Sequence, residues 1–382
     1  MIYMDNAATT WPKPETVYRA ADKFMREIGA NPGRGGHKSA SRAGEIIAET
    51  RKKLSGIFNI NDPNRLVFTP NATYSINTAL KGLLREGDHV VATFLEHNST
   101  LRPLYKLFER GIKISIVACS PEGFIEPGLV KKEIKKNTKL VCLNHASNVL
   151  GTITPVKEIG SLVRERGPFF LVDAAQTAGL YPIDVEEMKI DLLAFPGHKS
   201  LLGPQGTGGL YVREGLDLES LVEGGTGSHS EYFEQPDKMP DKLESGTPNT
   251  SGIAGLGAGI DFILQEGMDK IRIHELELTK YMLEGLSEIK GIKIYGPRSI
   301  KHQTPLVTFN VEDVNSGEIS FILDNVYNIA TRAGLHCAPL IHKHLGTIEQ
   351  GAVRASLGYF NTRKEVEELI KAVEAITGQF LY

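Results

Sequence analysis

The 382-residue chain is 41% hydrophobic and 23% charged, with a formal net charge of -3. That is the composition of a globular protein, and it lacks the basic balance that nucleic acid or an anionic membrane surface asks of a partner. No run of 18 apolar residues argues for a membrane span, and Met1-Ile2-Tyr3-Met4-Asp5 has neither the charged leader nor the apolar core of a signal peptide.

Three cysteines, Cys119, Cys142 and Cys337, are too few and too far apart for a disulfide framework or a zinc site. They fit a protein of the reducing cytoplasm. Cys119 and Cys142 sit in apolar runs and read as buried small hydrophobes. The length predicts two domains.

In chain order, short apolar runs at 66–69, 89–94, 112–118, 140–144, 169–172 and 192–195 read as strands. Helical patterns over 74–84, 100–110 and 156–166 lie between several of them. Continuous apolar strands separated by helices predict an α/β fold with a mostly parallel sheet covered on both faces. Gly208-Gly209-Leu210-Tyr211-Val212 reads as one more strand, at an edge, and 223–246 as an ordered functional loop. After 250 a Gly/Ala-rich segment, 251–259, leads into a long helix over 260–289. Strands near 292–295 and 306–311 and an amphipathic helix over 363–376 follow. The expected division is a large domain over 16–250 and a smaller α+β domain built from 1–15 and 251–382.

The chemistry begins at Phe195-Pro196-Gly197-His198-Lys199, which precedes Gly203-Pro204-Gln205-Gly206-Thr207-Gly208-Gly209. Open parallel sheets bind ligands beyond the carboxyl ends of their strands, and glycines let backbone approach a ligand closely. A desolvated lysine amine placed there can condense with an aldehyde, although most lysines are only solvated surface charges. Asp173, in Leu171-Val172-Asp173-Ala174-Ala175-Gln176, ends another apolar strand and needs a partner if it is buried. That partner is a structural cation, a helix start, or the ring nitrogen of pyridoxal phosphate, whose protonated form a carboxylate favours by about 1 to 3 pKa units. Thr69-Pro70-Asn71-Ala72-Thr73 opens a helix, where backbone N–H groups hold a phosphate or are simply capped by Asn71 or Thr73.

These stretches join a larger set. It comprises Tyr3-Met4-Asp5-Asn6-Ala7-Ala8, Arg34-Gly35-Gly36-His37, Glu96-His97-Asn98, Asn148-Val149-Leu150-Gly151, Gly246-Thr247-Pro248-Asn249, Arg332 to Cys337 and Arg354-Ala355-Ser356-Leu357-Gly358. In order and approximate spacing the set resembles the cysteine desulfurases of the class-V aminotransferase group, fold-type-I pyridoxal-phosphate enzymes, over nearly the whole chain. The resemblance implies that Lys199 bonds the cofactor's aldehyde and that His97 stacks on its ring and helps move protons. It implies that Asp173 pairs with the ring nitrogen and Gln176 with the phenolic oxygen, while Ala72, Thr73 and His198 hold the phosphate. Thr247 would reach the phosphate of a neighbouring subunit, which implies a homodimer. Asn148 and Arg354 would hold the substrate carboxylate, and His37 and Arg332 would line the pocket.

Arg332-Ala333-Gly334-Leu335-His336-Cys337 separates a desulfurase from a transaminase or epimerase, which needs no thiol there. By resemblance to the short-loop subgroup, Cys337 takes sulfur from L-cysteine as a persulfide and passes it to an acceptor protein. Arg332 or His336 would favour the thiolate. Two alternatives stay open: a selenocysteine lyase on the same fold, and a sulfur-delivery interaction protein with little activity alone. Two features depart from the common pattern. Pro196 replaces a serine that often touches the phosphate, and Thr9-Thr10-Trp11-Pro12 resembles a less characterised desulfurase-like branch.

Overall fold

The computed structural model describes residues 1–32, 35–228 and 231–381. Its centre is a seven-stranded sheet in the spatial order Leu66–Thr69, Gly208–Val212, Leu192–Pro196, Phe169–Asp173, Thr138–Asn144, His89–Thr93, Lys113–Val117. Gly208–Val212 runs antiparallel to both neighbours and the other pairings are parallel. Six strands therefore point the same way, and the loops leaving their carboxyl ends gather along one edge of the sheet.

The expected strands are present, most of them shifted by a residue or two at their ends. Gly208–Val212 is not an edge strand. It lies second in the sheet, wholly buried, while Leu66–Thr69 and Lys113–Val117 form the edges. Its glycines are what the interior requires. A side chain on Gly209 would collide with the Phe195 ring, and one on Gly208 would press on the Asn71 backbone.

The Gly/Ala-rich run is itself helical. Thr250–Glu266 is one helix and Met268–Glu288 another, separated at Gly267 with φ +90°. Glycine is tolerated there because one face lies flush on other backbone. A Cβ on Gly259 would come within 2.6 Å of Leu201 O, and one on Gly255 within 2.7 Å of Pro204. This helix packs on Glu15–Lys23 and Lys38–Ile57, two helices not anticipated from periodicity. It buries Leu256, Ile260 and Ile263 in the core beneath the large sheet.

The second unit is a four-stranded antiparallel sheet in the order Arg332–Gly334, Ala352–Ser356, Leu306–Val311, Ile292–Tyr295. Helices Met268–Glu288, Ser316–Tyr327 and Arg363–Leu381 contribute to its core with Phe309, Leu323, Val353 and Leu369. Each such fully buried side chain contributes roughly 1.5–3 kcal/mol of transfer free energy. Met268–Glu288 joins the two cores, giving Ile271 to the first and Met282 and Leu286 to the second. The first residues belong to this unit as well: Ile2–Tyr3 pairs in parallel with Ile329–Ala330, and Asp5 bridges to Ser356.

Candidate active site

Strand Leu192–Pro196 runs out of the core into a tight turn that carries Lys199. Gly197 N–H donates to Thr207 O at 2.7 Å and Gly203 N–H to Gly197 O at 2.8 Å, which closes the turn. No other residue fits at Gly197, where a side chain would overlap Thr207. The amino-terminal arm braces the turn from behind: Thr10 Oγ1 donates to Lys199 O at 3.0 Å and Lys13 Nζ to His198 O at 2.6 Å.

The Lys199 amine opens into a cleft of about 790 Å³, counting its mouth. Burial pulls its pKa down to about 8. Asp173 opposes that shift, and Arg354 and Arg332 add to it.

Asp173 ends the neighbouring strand and is buried, its Oδ1 accepting from Ala175 N–H at 2.9 Å. Burial pushes its pKa up, against the Ala175 N–H and the charge of Lys199. Beyond Leu66–Thr69, Asn71 Oδ1 accepts from Tyr74 N–H at 2.9 Å and caps helix Ala72–Leu83. Ala72 and Thr73, in that helix's first turn, line the cleft, where the orphan N–H groups and the dipole favour an anion. Capping and anion binding thus share one helix start.

His97 caps helix Asn98–Phe108, its Nδ1 accepting from Ser99 N–H at 3.0 Å. Burial, reinforced by Lys199 and Arg332, lowers its pKa to about 4. The ring is therefore neutral, with its proton on Nε2. His198 is held neutral in the same way, at about 4. Gln176 donates to Ala7 O at 3.1 Å and keeps a second amide hydrogen for the cleft.

The opposite wall comes from the small unit. Arg354, 2% exposed, donates through Nη1 to Asn148 O and through Nη2 to Asp5 Oδ1, each at 2.8 Å. Its Nε and the Asn148 Oδ1 are buried without a partner among the described residues. Unpaired buried polar atoms of this kind mark a place for a polar ligand. Asn148 Nδ2 donates to His336 O at 2.7 Å and ties this wall to the cysteine loop.

In that loop His336 and Cys337 both have left-handed backbone, φ +48° and +57°. Such strain costs on the order of 1 kcal/mol for each residue. Asn98 N–H donates to Cys337 O at 2.7 Å. Cys337 is half-buried, its Sγ 3.8 Å from Arg332 Nη2. Arg332 lines the cleft and is the cation beside the sulfur. His336 is not one. Burial, with Arg354 next, pushes its pKa down to about 2, so its ring is neutral and offers Cys337 no charge.

Ten of the expected residues therefore meet around one cleft: Ala72, Thr73, His97, Asn148, Asp173, Gln176, His198, Lys199, Arg332 and Arg354, with Cys337 beside Arg332. Two lie elsewhere in this chain. His37 is exposed and caps helix Lys38–Ile57, and Thr247 is exposed, its Oγ1 accepting from Asn31 Nδ2 at 3.5 Å. Arg34 of the same motif lies outside the described residues. Asp5, Lys13 and Asn144 were not singled out as site residues by sequence reasoning. Asp5 stands in a motif that was noticed, but nothing local shows that it meets Arg354.

The sequence profile of the family described as Aminotransferase class-V matches residues 2–369. A relative from Methanothermobacter thermautotrophicus, named "Probable cysteine desulfurase", is 38% identical over 385 residues, 99% of this chain and 95% of its own. A cysteine desulfurase of Salmonella agona is 34% identical over 386 residues, covering 98% of this chain and 93% of its own. Among solved structures, the apo cysteine desulfurase of Thermococcus onnurineus superposes with a TM-score of 0.93 at 35% identity, covering 99% of this chain and 95% of that one. The Escherichia coli cysteine desulfurase CsdA, solved as an S-sulfonic acid, gives 0.89 at 28% identity, covering 100% and 95%.

Proposed function

Since the chain belongs to the class-V aminotransferase family and, within it, to the cysteine desulfurases, we propose that it converts L-cysteine to L-alanine with pyridoxal 5'-phosphate. Cys337 takes the sulfur as a persulfide and delivers it to an acceptor protein. The observation that carries this reading is the meeting of Lys199, Asp173 and Arg332 in one cleft, with Cys337 Sγ beside Arg332.

The residues suit the cofactor. The buried Asp173 carboxylate, bonded at one oxygen to a backbone N–H, suits a protonated ring nitrogen. The start of helix Ala72–Leu83 with Thr73 and His198 suits a phosphate, and Gln176 a phenolic oxygen. Pro196 lines the cleft and donates no hydrogen bond, so the phosphate depends on that helix start. When bound, the cofactor supplies an aldehyde for an amine and a ring that takes up the electron pair released at the substrate α-carbon.

The chain's own groups do the rest. The Lys199 amine, with a pKa near neutrality, is placed to take and return the α-proton. Arg354 and Asn148 orient the substrate carboxylate. The Cys337 thiolate attacks the substrate sulfur: an S–S bond forms, the substrate C–S bond breaks, and its electron pair stays on the β-carbon. That carbon takes a proton and becomes the methyl group of alanine.

The exposed positions of Thr247 and His37, away from their own cleft, support a homodimer in which each serves the neighbouring subunit. We draw the large unit as 16–250 and the small one as 1–15 with 251–382, although helix Thr250–Glu266 packs on the large unit and Met268–Glu288 is the helix that joins the two cores. Three unpaired cysteines suit a reducing cytoplasm. No helix among the described residues is long and apolar enough to cross a membrane.

The test is mass spectrometry after exposure to L-cysteine: one added sulfur atom is expected on Cys337. Its absence, with alanine still formed, sinks the acceptor role. A Cys337→Ala protein that still releases selenide from selenocysteine while losing L-cysteine turnover would favour the selenocysteine lyase reading.

A further inference from the structure

Behind the cysteine loop lies a chain of buried polar side chains that the reaction above does not use. Thr347 Oγ1 is 2.8 Å from His342 Nδ1, His342 Nε2 is 3.2 Å from His336 Nδ1, and His336 Nε2 is 3.3 Å from Arg332 O. Thr347 and His336 are 3% exposed and His342 not at all. The two rings stack with centroids 5.4 Å apart. Burial keeps both neutral, lowering His342 to about 4 and His336 to about 2.

Neutral rings have one N–H each, and this decides the direction of the chain. Arg332 O can only accept, so His336 carries its proton on Nε2 and its Nδ1 is a lone pair. His342 must then donate from Nε2, which leaves its Nδ1 to accept from the Thr347 hydroxyl. The reverse direction would set two acceptors, His336 Nε2 and Arg332 O, against each other. One polarity satisfies every member, and it ends on the carbonyl of the residue whose guanidinium stands beside Cys337.

Resting on the desulfurase reading, we propose that His342 is a positioning residue for Cys337. Through His336 it pins the Arg332 backbone and the left-handed His336–Cys337 turn, so that Sγ stays beside Arg332. His342 touches neither the cleft nor the sulfur. It acts from helix Pro339–Leu345, which follows the turn directly and whose carboxyl end is tied back by Thr347 N–H donating to His342 O at 2.9 Å. The strained turn thus has a second anchor besides Asn98 N–H on Cys337 O.

The test compares His342→Leu with His342→Gln in the cofactor-loaded protein. The glutamine amide reaches the position of Nε2 and still donates to His336 Nδ1; leucine fills the space and donates nothing. Three quantities are read: the rate at which iodoacetamide alkylates Cys337, the yield of Cys337 persulfide from L-cysteine, and the absorbance of the lysine-bound cofactor. His342→Leu should shift the alkylation rate several-fold and lower the persulfide yield about ten- to a hundredfold, the scale of a misplacement of about 1 Å, with cofactor absorbance unchanged. His342→Gln should recover both within about threefold.

Equal losses in the two variants, tracking equal losses of Tm, would assign His342 a purely structural role and overturn the proposal. So would wild-type alkylation and persulfide yield in His342→Leu. If His342→Leu fails to fold, Thr347→Val removes the first donor and should lower persulfide yield, with Thr347→Ser restoring it; no loss in Thr347→Val then overturns the proposal. Absence of persulfide in the unaltered protein counts against the desulfurase reading alone, and the alkylation arm still decides the role of His342.

Discussion

Replacing Cys337 by alanine separates sulfur transfer from cofactor chemistry, and the structure sets the size of the effect. Among the described residues Cys337 Sγ pairs with Arg332 and not with Lys199, Asp173 or the start of helix Ala72–Leu83. The absorbance of the lysine-bound cofactor should therefore be unchanged. The other two thiols are poor substitutes. Burial raises the Cys119 pKa to about 11, so that at pH 7 roughly one molecule in ten thousand carries the thiolate. Cys142 is wholly buried in the central sheet and its pKa is pushed further up by burial, with Glu96 and Asp173 adding to the shift. Persulfide formation should fall by at least about a thousandfold. The assay follows alanine production and protein-bound sulfur by mass spectrometry, with no added thiol, since a soluble thiolate would replace the missing one. Alanine formed at the wild-type rate under those conditions would refute the reasoning and make the enzyme a lyase that releases sulfur directly.

Five further outcomes are expected. Asp173→Asn should bind the cofactor but lose at least about tenfold in turnover, because a neutral amide does not hold a ring nitrogen protonated; near-normal turnover would leave Asp173 a structural role only. With the Lys199 pKa near 8, cofactor rebinding to the cofactor-free protein should accelerate between pH 7 and 9 and then level off as the amine becomes neutral, and a flat profile by stopped-flow absorbance contradicts this. Borohydride reduction should then fix the label to Lys199 and to no other residue. Glu275 is buried and its pKa is raised by burial from 4.5 to about 8, so the stability tied to its proton is complete below pH 4.5 and is lost as pH rises through 8. Glu275→Gln should remove that loss, raising Tm little at pH 5 and clearly at pH 8, a gain of at most roughly 3 kcal/mol at pH 7; equal Tm changes at both pH values would show that Glu275 does not titrate this way. Light scattering should find a dimer, and a stable, cofactor-loaded, active monomer contradicts the role given to Thr247.

Much of the site was legible because its parts are local. A strand, a tight glycine turn and a lysine are contiguous at 192–199, and the proposed phosphate cradle is one helix start at 71–73. Such pieces are set by backbone sterics and by orphan N–H groups within a few residues. Helix limits were misread where a cap outweighed periodicity. His97 caps its helix through Nδ1, so the helix begins at Asn98 and not at 100. The Gly/Ala-rich run 251–259 read as leading into a helix and not as part of one, since propensity disfavours glycine, whereas close packing on Leu201 and Pro204 makes its glycines the residues that fit.

The sequence by itself determined the α/β layering and singled out Lys199, Asp173 and, by resemblance, Cys337 as candidates, since each rests on hydrophobic period or on a short run of residues. Three matters waited for the tertiary structure. Gly208–Val212 is an interior strand because Phe195 fills the space its glycines leave. Arg354 meets Asp5 across a separation of 349 residues. His336, expected beside the thiolate as a charge, turns instead toward His342 and Arg332 O and is neutral. In each case the deciding contact joins elements that neither period nor spacing relates. Burial then fixes the protonation state, because a charge that water would solvate in an open chain has no such solvent in the packed one.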